Sequence, residues 1–205
     1  MSPIQQASFL LSAAKVRDFP PEAGPELAFA GRSNVGKSSA INALAARRRL
    51  AFSSKTPGRT QTINFYALGD AGRLADLPGY GYASVPQALR ASWDELIGGY
   101  LQGRQTLAGV VVLMDARHPL TENDRHFLEW LRPVTAPRLV LLSKADKLSR
   151  AERAKTLVAT RQALDAAALS SQVQLFSSSS GEGVDEARAQ LERWLTNKKP
   201  PEKGN

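Results

Sequence analysis

An apolar run, ELAFAG (26–31), ends in GRSNVGKS (31–38), and a helical pattern opens at once behind it. No other stretch constrains the fold as much as this corner. Gly31 and Gly36 let the backbone turn so that successive N–H groups point inward at an anion, with Arg32, Ser33, Asn34 and Val35 forming the loop between them. The helix that begins there adds the positive end of its dipole. Lys37 has the reach for β- and γ-phosphates, and the Ser38 hydroxyl can ligate Mg²⁺. Four constrained positions give roughly a one in a hundred chance match in a chain of this length, and the strand-before, helix-after setting lowers it further. The corner is a phosphate-binding loop.

Around it, apolar runs suited to buried strands alternate with helical patterns. This predicts an α/β fold: a doubly wound, mostly parallel sheet of six to seven strands flanked by helices, the P-loop NTPase class. Strands are expected at 26–31, 62–68, 72–77, 107–116, 138–143 and 173–178, with a further short one at 8–14. Helices are expected at about 37–48, 86–103, 121–131, 149–168 and 183–197. Trp93, Trp130 and Trp194 fall in helical patterns. Trp194 shares a stripe with Val184, Ala187 and Leu191, which argues for core packing. The division is a segment 1–24 with the extra strand, a main domain 25–197, and a basic, apolar-free tail 198–205. No run approaches the roughly 18 apolar residues of a membrane span, and the first residues make a poor signal peptide. The chain has no cysteine, which excludes disulfides and thiolate metal sites and suits a reducing cytoplasm. His118 and His126 lack a second ligand set. The net charge of +8 suits a polyanionic partner such as RNA, although many proteins are simply basic.

A phosphate loop alone does not separate ATP from GTP. Downstream, DLPG follows a strand, placing Asp76 where a carboxylate reaches Mg²⁺ through water and Gly79 where a backbone N–H meets the γ-phosphate, with Leu77 and Pro78 between. Alone, the same tetrapeptide makes a good turn. LLSKAD then closes a very apolar strand. A carboxylate at Asp146 can accept from N1–H and the 2-amino group of guanine, donors that adenine lacks. The aliphatic stem of Lys144 can cover the base, with Ser143 and Ala145 beside it. Alone this is a solvated charge pair; in order with the other two motifs it points to GTP.

At this point the motifs Gly31–Ser38, Thr60, Asp76–Gly79, Ser143–Asp146 and Ser177–Ser178 resemble those of translation-factor-class GTPases. More narrowly, GRSNVGKSS, KTPGRTQTINFY and DLPGYGYA resemble the EngB/YihA/YsxC group of bacterial ribosome-assembly GTPases, over about residues 8 to 197. The resemblance implies a Mg²⁺-dependent GTPase in which Lys37, Thr60 and Gly79 serve catalysis. Thr60, in the stretch Gly58, Arg59, Thr60, Gln61 and Thr62, would join Ser38 on the metal when the γ-phosphate is present. Phe176, Ser177 and Ser178 would approach the guanine O6. It also implies a monomeric cytoplasmic protein that docks on the maturing large ribosomal subunit, its loss disturbing division and septation. ARRRL (46–50) favours RNA as the contacted surface, or is only a solvated helix end. Two departures stand out. Ser143 replaces the usual Thr or Asn and is shorter than asparagine. Tyr80 occupies the position at which Ras-like enzymes place a water-orienting glutamine, so intrinsic hydrolysis should be slow. Asn34 either helps hold K⁺ against the phosphates, as in related GTPases, or merely suits the turn.

Overall fold

A computed structural model describes residues 2–52, 62–81 and 87–197, with backbone alone over 87–93. Gly58, Arg59, Thr60, Gln61, Tyr82, the Trp93 side chain and the tail 198–205 therefore lie outside the described residues. Seven strands, β1 (Ser8–Ala13), β2 (Glu26–Gly31), β3 (Ile63–Ala67), β4 (Arg73–Asp76), β5 (Leu107–Asp115), β6 (Arg138–Ser143) and β7 (Gln172–Leu175), form one sheet in the order β1-β3-β4-β2-β5-β6-β7. From β4 outward to β7 every pairing is parallel, while β3 runs antiparallel to both β1 and β4. The connections are α1 (Lys37–Leu44), α2 (Gln87–Leu101), α3 (Glu122–Trp130), α4 (Arg150–Ala166) and α5 (Val184–Asn197).

The central strands read as continuous apolar runs because helices cover both faces, and every residue of β2 and β5 is buried. On one face Ile97 and Tyr100 of α2, Phe127 and Leu128 of α3 and Leu164 of α4 pack against Val110, Val112 and Val140. On the other, Ile41 and Leu44 of α1 and Ala187, Leu191 and Trp194 of α5 pack against Phe29, Val111 and Leu141. The stripe that places Trp194 in the core holds, and a complementary gap sits opposite it. A Cβ on Gly109 would come within 2.1 Å of the indole, so only glycine admits the ring.

Two boundaries differ from the sequence expectation by more than two residues. α1 stops at Leu44, short of residue 48. Ala46 takes a positive φ of 51°, and Arg188 of α5 donates to the carbonyls of Leu44 (2.9 Å) and Ala43 (3.3 Å), satisfying the helix end from far along the chain. β7 stops at Leu175 rather than 178, because the Ser177 amide turns aside to the Glu182 carbonyl.

At the N-terminal end of the sheet, Glu26 is fully buried and meets Arg73 (3.2 Å) and Arg104. Arg104 also donates to the Pro20 carbonyl, and Glu22 accepts from the Thr106 amide and hydroxyl, clamping segment 20–22 to the strand ends. Among the described residues no helix is long and apolar enough to cross a membrane.

Candidate functional site

The parallel strands deliver their carboxyl ends side by side. Phe29 of β2 is in register with Asp76 of β4, Gly31 with Leu113 of β5, and Asp115 of β5 with Ser143 of β6. Such a crevice beyond the strand ends is where open α/β sheets take ligands. The loop 31–36 leaves β2 and enters α1 through Gly36, whose φ is 101°. α1 carries no side-chain cap, whereas Ser149 of α4 and Glu152 satisfy each other's amides at 3.3 and 2.8 Å. Among the described residues the amides of Asn34, Gly36, Lys37, Ser38 and Ser39 donate to no protein acceptor. A row of open N–H groups at a helix start is an anion cradle.

Lys37 and Asp76, both largely buried, are paired across the mouth of this cradle. Ser38 is half-buried on the first turn of α1. A hydroxyl and a carboxylate here are the hard oxygen donors that Mg²⁺ prefers, so the residues fit the metal. Leu77 continues β4 by donating to the Phe29 carbonyl (2.9 Å), and Pro78 carries the chain to Gly79. A Cβ on Gly79 would lie 2.8 Å from the Ser33 hydroxyl and 3.2 Å from its amide nitrogen, so glycine is what lets this strand end touch the phosphate loop.

The other end of the crevice is tied to the same loop. The Ser143 hydroxyl lies 2.7 Å from the Val35 carbonyl and 3.1 Å from that of Met114. Lys144, at a positive φ of 59°, donates to the Asn34 carbonyl (2.9 Å) and to Asp115 (3.0 Å). Arg117 first, then Lys144, hold the Asp115 carboxyl well below the usual carboxylate range. Ala145 donates to the Phe176 carbonyl at 3.1 Å, and Phe176 in turn to Leu142 at 2.9 Å. The Ser177 hydroxyl donates to Asp146 at 2.6 Å. This bond first, and Lys147 second, bring the Asp146 carboxyl down to about 2. Ser178 is exposed beside it. Of the predicted stretch around Thr60, only Thr62 is described, at the entrance to β3 and 3.4 Å from the Asn64 side chain.

Tyr80 is buried rather than facing the cradle. Its hydroxyl donates to Asp124 (3.0 Å), and its ring stacks on Phe127 with centroids 4.5 Å apart. Burial first, then the Asp124 carboxylate, push the phenol well above its ordinary pKa. Asp124, fully buried, also takes Arg32 at 3.2 Å and reaches back to the Thr121 amide and hydroxyl at the start of α3. Sequence reasoning missed Asp115 and Asp124. A T-x-x-D cap in TEND signalled the second; for the first, the D-x-R of Asp115 and Arg117 was a local signal, while its other partner, Lys144, follows the end of β6.

A family model described as 50S ribosome-binding GTPase matches residues 26–144. The probable GTP-binding protein EngB of Thiobacillus denitrificans is 55% identical over 193 residues, 94% of this chain and 92% of its own. That of Burkholderia thailandensis is 50% identical over 201 residues, with coverages of 94% and 92%. Among solved structures, a probable GTP-binding protein engB superposes with a TM-score of 0.64 at 21% identity, over 83% of this chain and 98% of that one. Era in complex with MgGDPNP and a segment of 16S ribosomal RNA superposes with a TM-score of 0.62 at 16% identity, over 89% and 59%. Both structural likenesses concern the fold.

Proposed function

This chain belongs to the EngB family of GTP-binding proteins, and we propose that it hydrolyses GTP as a switch acting on the large ribosomal subunit during its assembly. The observation that carries the proposal is the set of amides of Asn34, Gly36, Lys37, Ser38 and Ser39, open among the described residues, together with an Asp146 carboxylate to which Ser177 donates. The amides and Lys37 hold the phosphates and neutralise charge developing on the γ-phosphoryl as water attacks in line. Ser38, Thr60 and, through water, Asp76 would hold Mg²⁺, which would supply further positive charge. Lys37 exchanges its contact with Asp76 for the phosphates when nucleotide enters. Asp146 reads N1–H and the 2-amino group of guanine, and Ser143, Lys144, Ala145, Phe176, Ser177 and Ser178 shape the base site. The segments around Thr60 and Gly79–Tyr82 respond to the γ-phosphate, so hydrolysis changes the surface offered to the partner.

The phenol of Tyr80 is committed to Asp124, which supports slow intrinsic turnover. Asn34, exposed in the loop, would hold K⁺, which would supply the compensating charge; equal GTP turnover in KCl and NaCl removes that part. Residues 25–197 act as the GTPase domain, 1–24 as an extension and 198–205 as a basic tail. The protein works as a cytoplasmic monomer, and its loss disturbs division and septation through ribosome supply. Calorimetry with GTP and GDP, with and without Mg²⁺, tests the first step. Co-sedimentation with large-subunit precursors under GTP, GDP and a non-hydrolysable analogue tests the second. Tight magnesium-assisted uptake and nucleotide-dependent sedimentation are expected; absence of either overturns the corresponding half.

Tyr80 also favours a second reading, a nucleotide-gated RNA-binding module in which turnover is incidental. A variant that binds GTP without hydrolysing it, and still supports repeated rounds of assembly, selects that reading.

A further inference from the structure

The chain after α1 does not fray. Asn42 accepts from the amides of Leu50 (2.9 Å) and Ala51 (2.8 Å) and donates to the Ala51 carbonyl (2.9 Å), so one side chain closes the whole loop. Arg47, Arg48 and Arg49 stand exposed on this fixed loop, and among the described residues none has a carboxylate within ion-pair range. Elsewhere Arg32, Arg73, Arg104, Arg117, Arg153 and Arg188 each sit on an acid. Beside the loop lies a groove of about 620 Å³ lined by Arg47, Arg49, Leu50, Phe9, Phe52 and Tyr66. Phe52 is 69% exposed and Phe9 58%, and the buried Tyr66 ring supports Phe9 edge-on at 6.0 Å.

A solvated helix end needs no aromatic rings; protein interfaces also gather aromatic rings and arginine, but three successive guanidiniums without a carboxylate in range among the described residues call for a polyanion to neutralise them. Flat exposed rings beside unpaired guanidiniums match a strand whose bases are splayed out and whose phosphates run alongside. From this juxtaposition we infer that the groove docks an unpaired stretch of RNA, with bases stacked on Phe9 and Phe52 and phosphates held by Arg47 and Arg49. The inference rests on the RNA-rich partner proposed above and locates the contact. A duplex keeps its bases stacked inside and leaves the phenylalanines without a role. An acidic peptide meets the arginines alone.

The test is fluorescence anisotropy of the full chain with a labelled oligoadenylate of about ten nucleotides, the same strand paired with oligouridylate, and polyglutamate as competitor. Single strand should bind more tightly than duplex. Phe52→Ala and Phe9→Ala should each weaken it about tenfold without changing the salt slope, and Phe52→Tyr should retain it. The double variant Arg47→Ala, Arg49→Ala should flatten the slope of log affinity against log salt by about 1.4. Guanine-nucleotide affinity, measured on the same samples, should stay at the wild-type value. Wild-type affinity in the alanine variants, equal binding of duplex, or displacement by polyglutamate each overturns the inference, the last in favour of a protein partner. Co-sedimentation is scored separately. Its failure with oligonucleotide binding intact removes the ribosomal proposal alone, and groove variants that lose nothing in either assay remove the groove alone.

Discussion

Strand β2 carries polar chemistry at both ends, and the two ends are built in opposite ways. At Glu26 the charges are buried and paired: one carboxylate faces two guanidiniums, which also donate to the carbonyls of Pro20 and Pro21. At Gly31 the chain runs into a loop and helix start where the amides of Asn34, Gly36, Lys37, Ser38 and Ser39 donate to nothing in the described protein. The first arrangement pairs its charges within the protein and holds strands together. The second leaves donors that only a ligand or water can satisfy. A closed polar network is structural and an open one is a site, even on the same strand.

The contrast can be broken or sharpened by substitution. The largest effect should come from Asp146→Asn, which exchanges an acceptor for a donor opposite guanine. Preference should move from GTP toward xanthosine triphosphate by about 10⁴-fold, roughly 5.5 kcal/mol, in competition binding. A variant that keeps its guanine preference shows that Asp146 is not the reader. At the closed end, Glu26→Ala strands Arg73 and Arg104 and should cost about 3 to 5 kcal/mol in denaturant unfolding. The folded fraction should still bind nucleotide as wild type; a parallel loss of affinity would mean the ends are not independent. Ser143→Ala removes the hydroxyl beside the Val35 carbonyl and should weaken guanine nucleotides about fivefold, near 1 kcal/mol, by calorimetry. The smallest effect concerns pH. Asp146 titrates at about 2 when folded, below its unfolded value, so its favourable contribution is complete above the unfolded pKa and fades only as pH falls toward 2. Guanine-nucleotide affinity should therefore be flat between pH 8 and about 5 as far as this group is concerned; a midpoint near 4 in a calorimetric series would contradict the Ser177 contact.

Much of this was legible in the sequence because the signals are local. The apolar runs of β2, β5 and β6 and the glycines of the loop carry their own meaning. What escaped was set by partners far along the chain. Nothing near Leu44 announces that Arg188 will end α1, and the arginines at 47–49 look like one more helical turn until Asn42 is seen closing the loop. Asp115 has a local partner in Arg117, but its contact with Lys144, just past the end of β6, is set by strand pairing. Ser143 is shorter than asparagine but its hydroxyl can still tie the base loop to the phosphate loop, and parallel register brings it to 2.7 Å from the Val35 carbonyl.

That tie has a consequence. Ser143 and Lys144 fasten the strand end beside Asp146 to the carbonyls of Val35 and Asn34, so the gap between the carboxylate proposed to read the base and the amides proposed to hold the phosphates is fixed like the jaws of a caliper. Such an instrument gauges its ligand along its length. A bare guanosine spans only one jaw, and an inorganic triphosphate only the other.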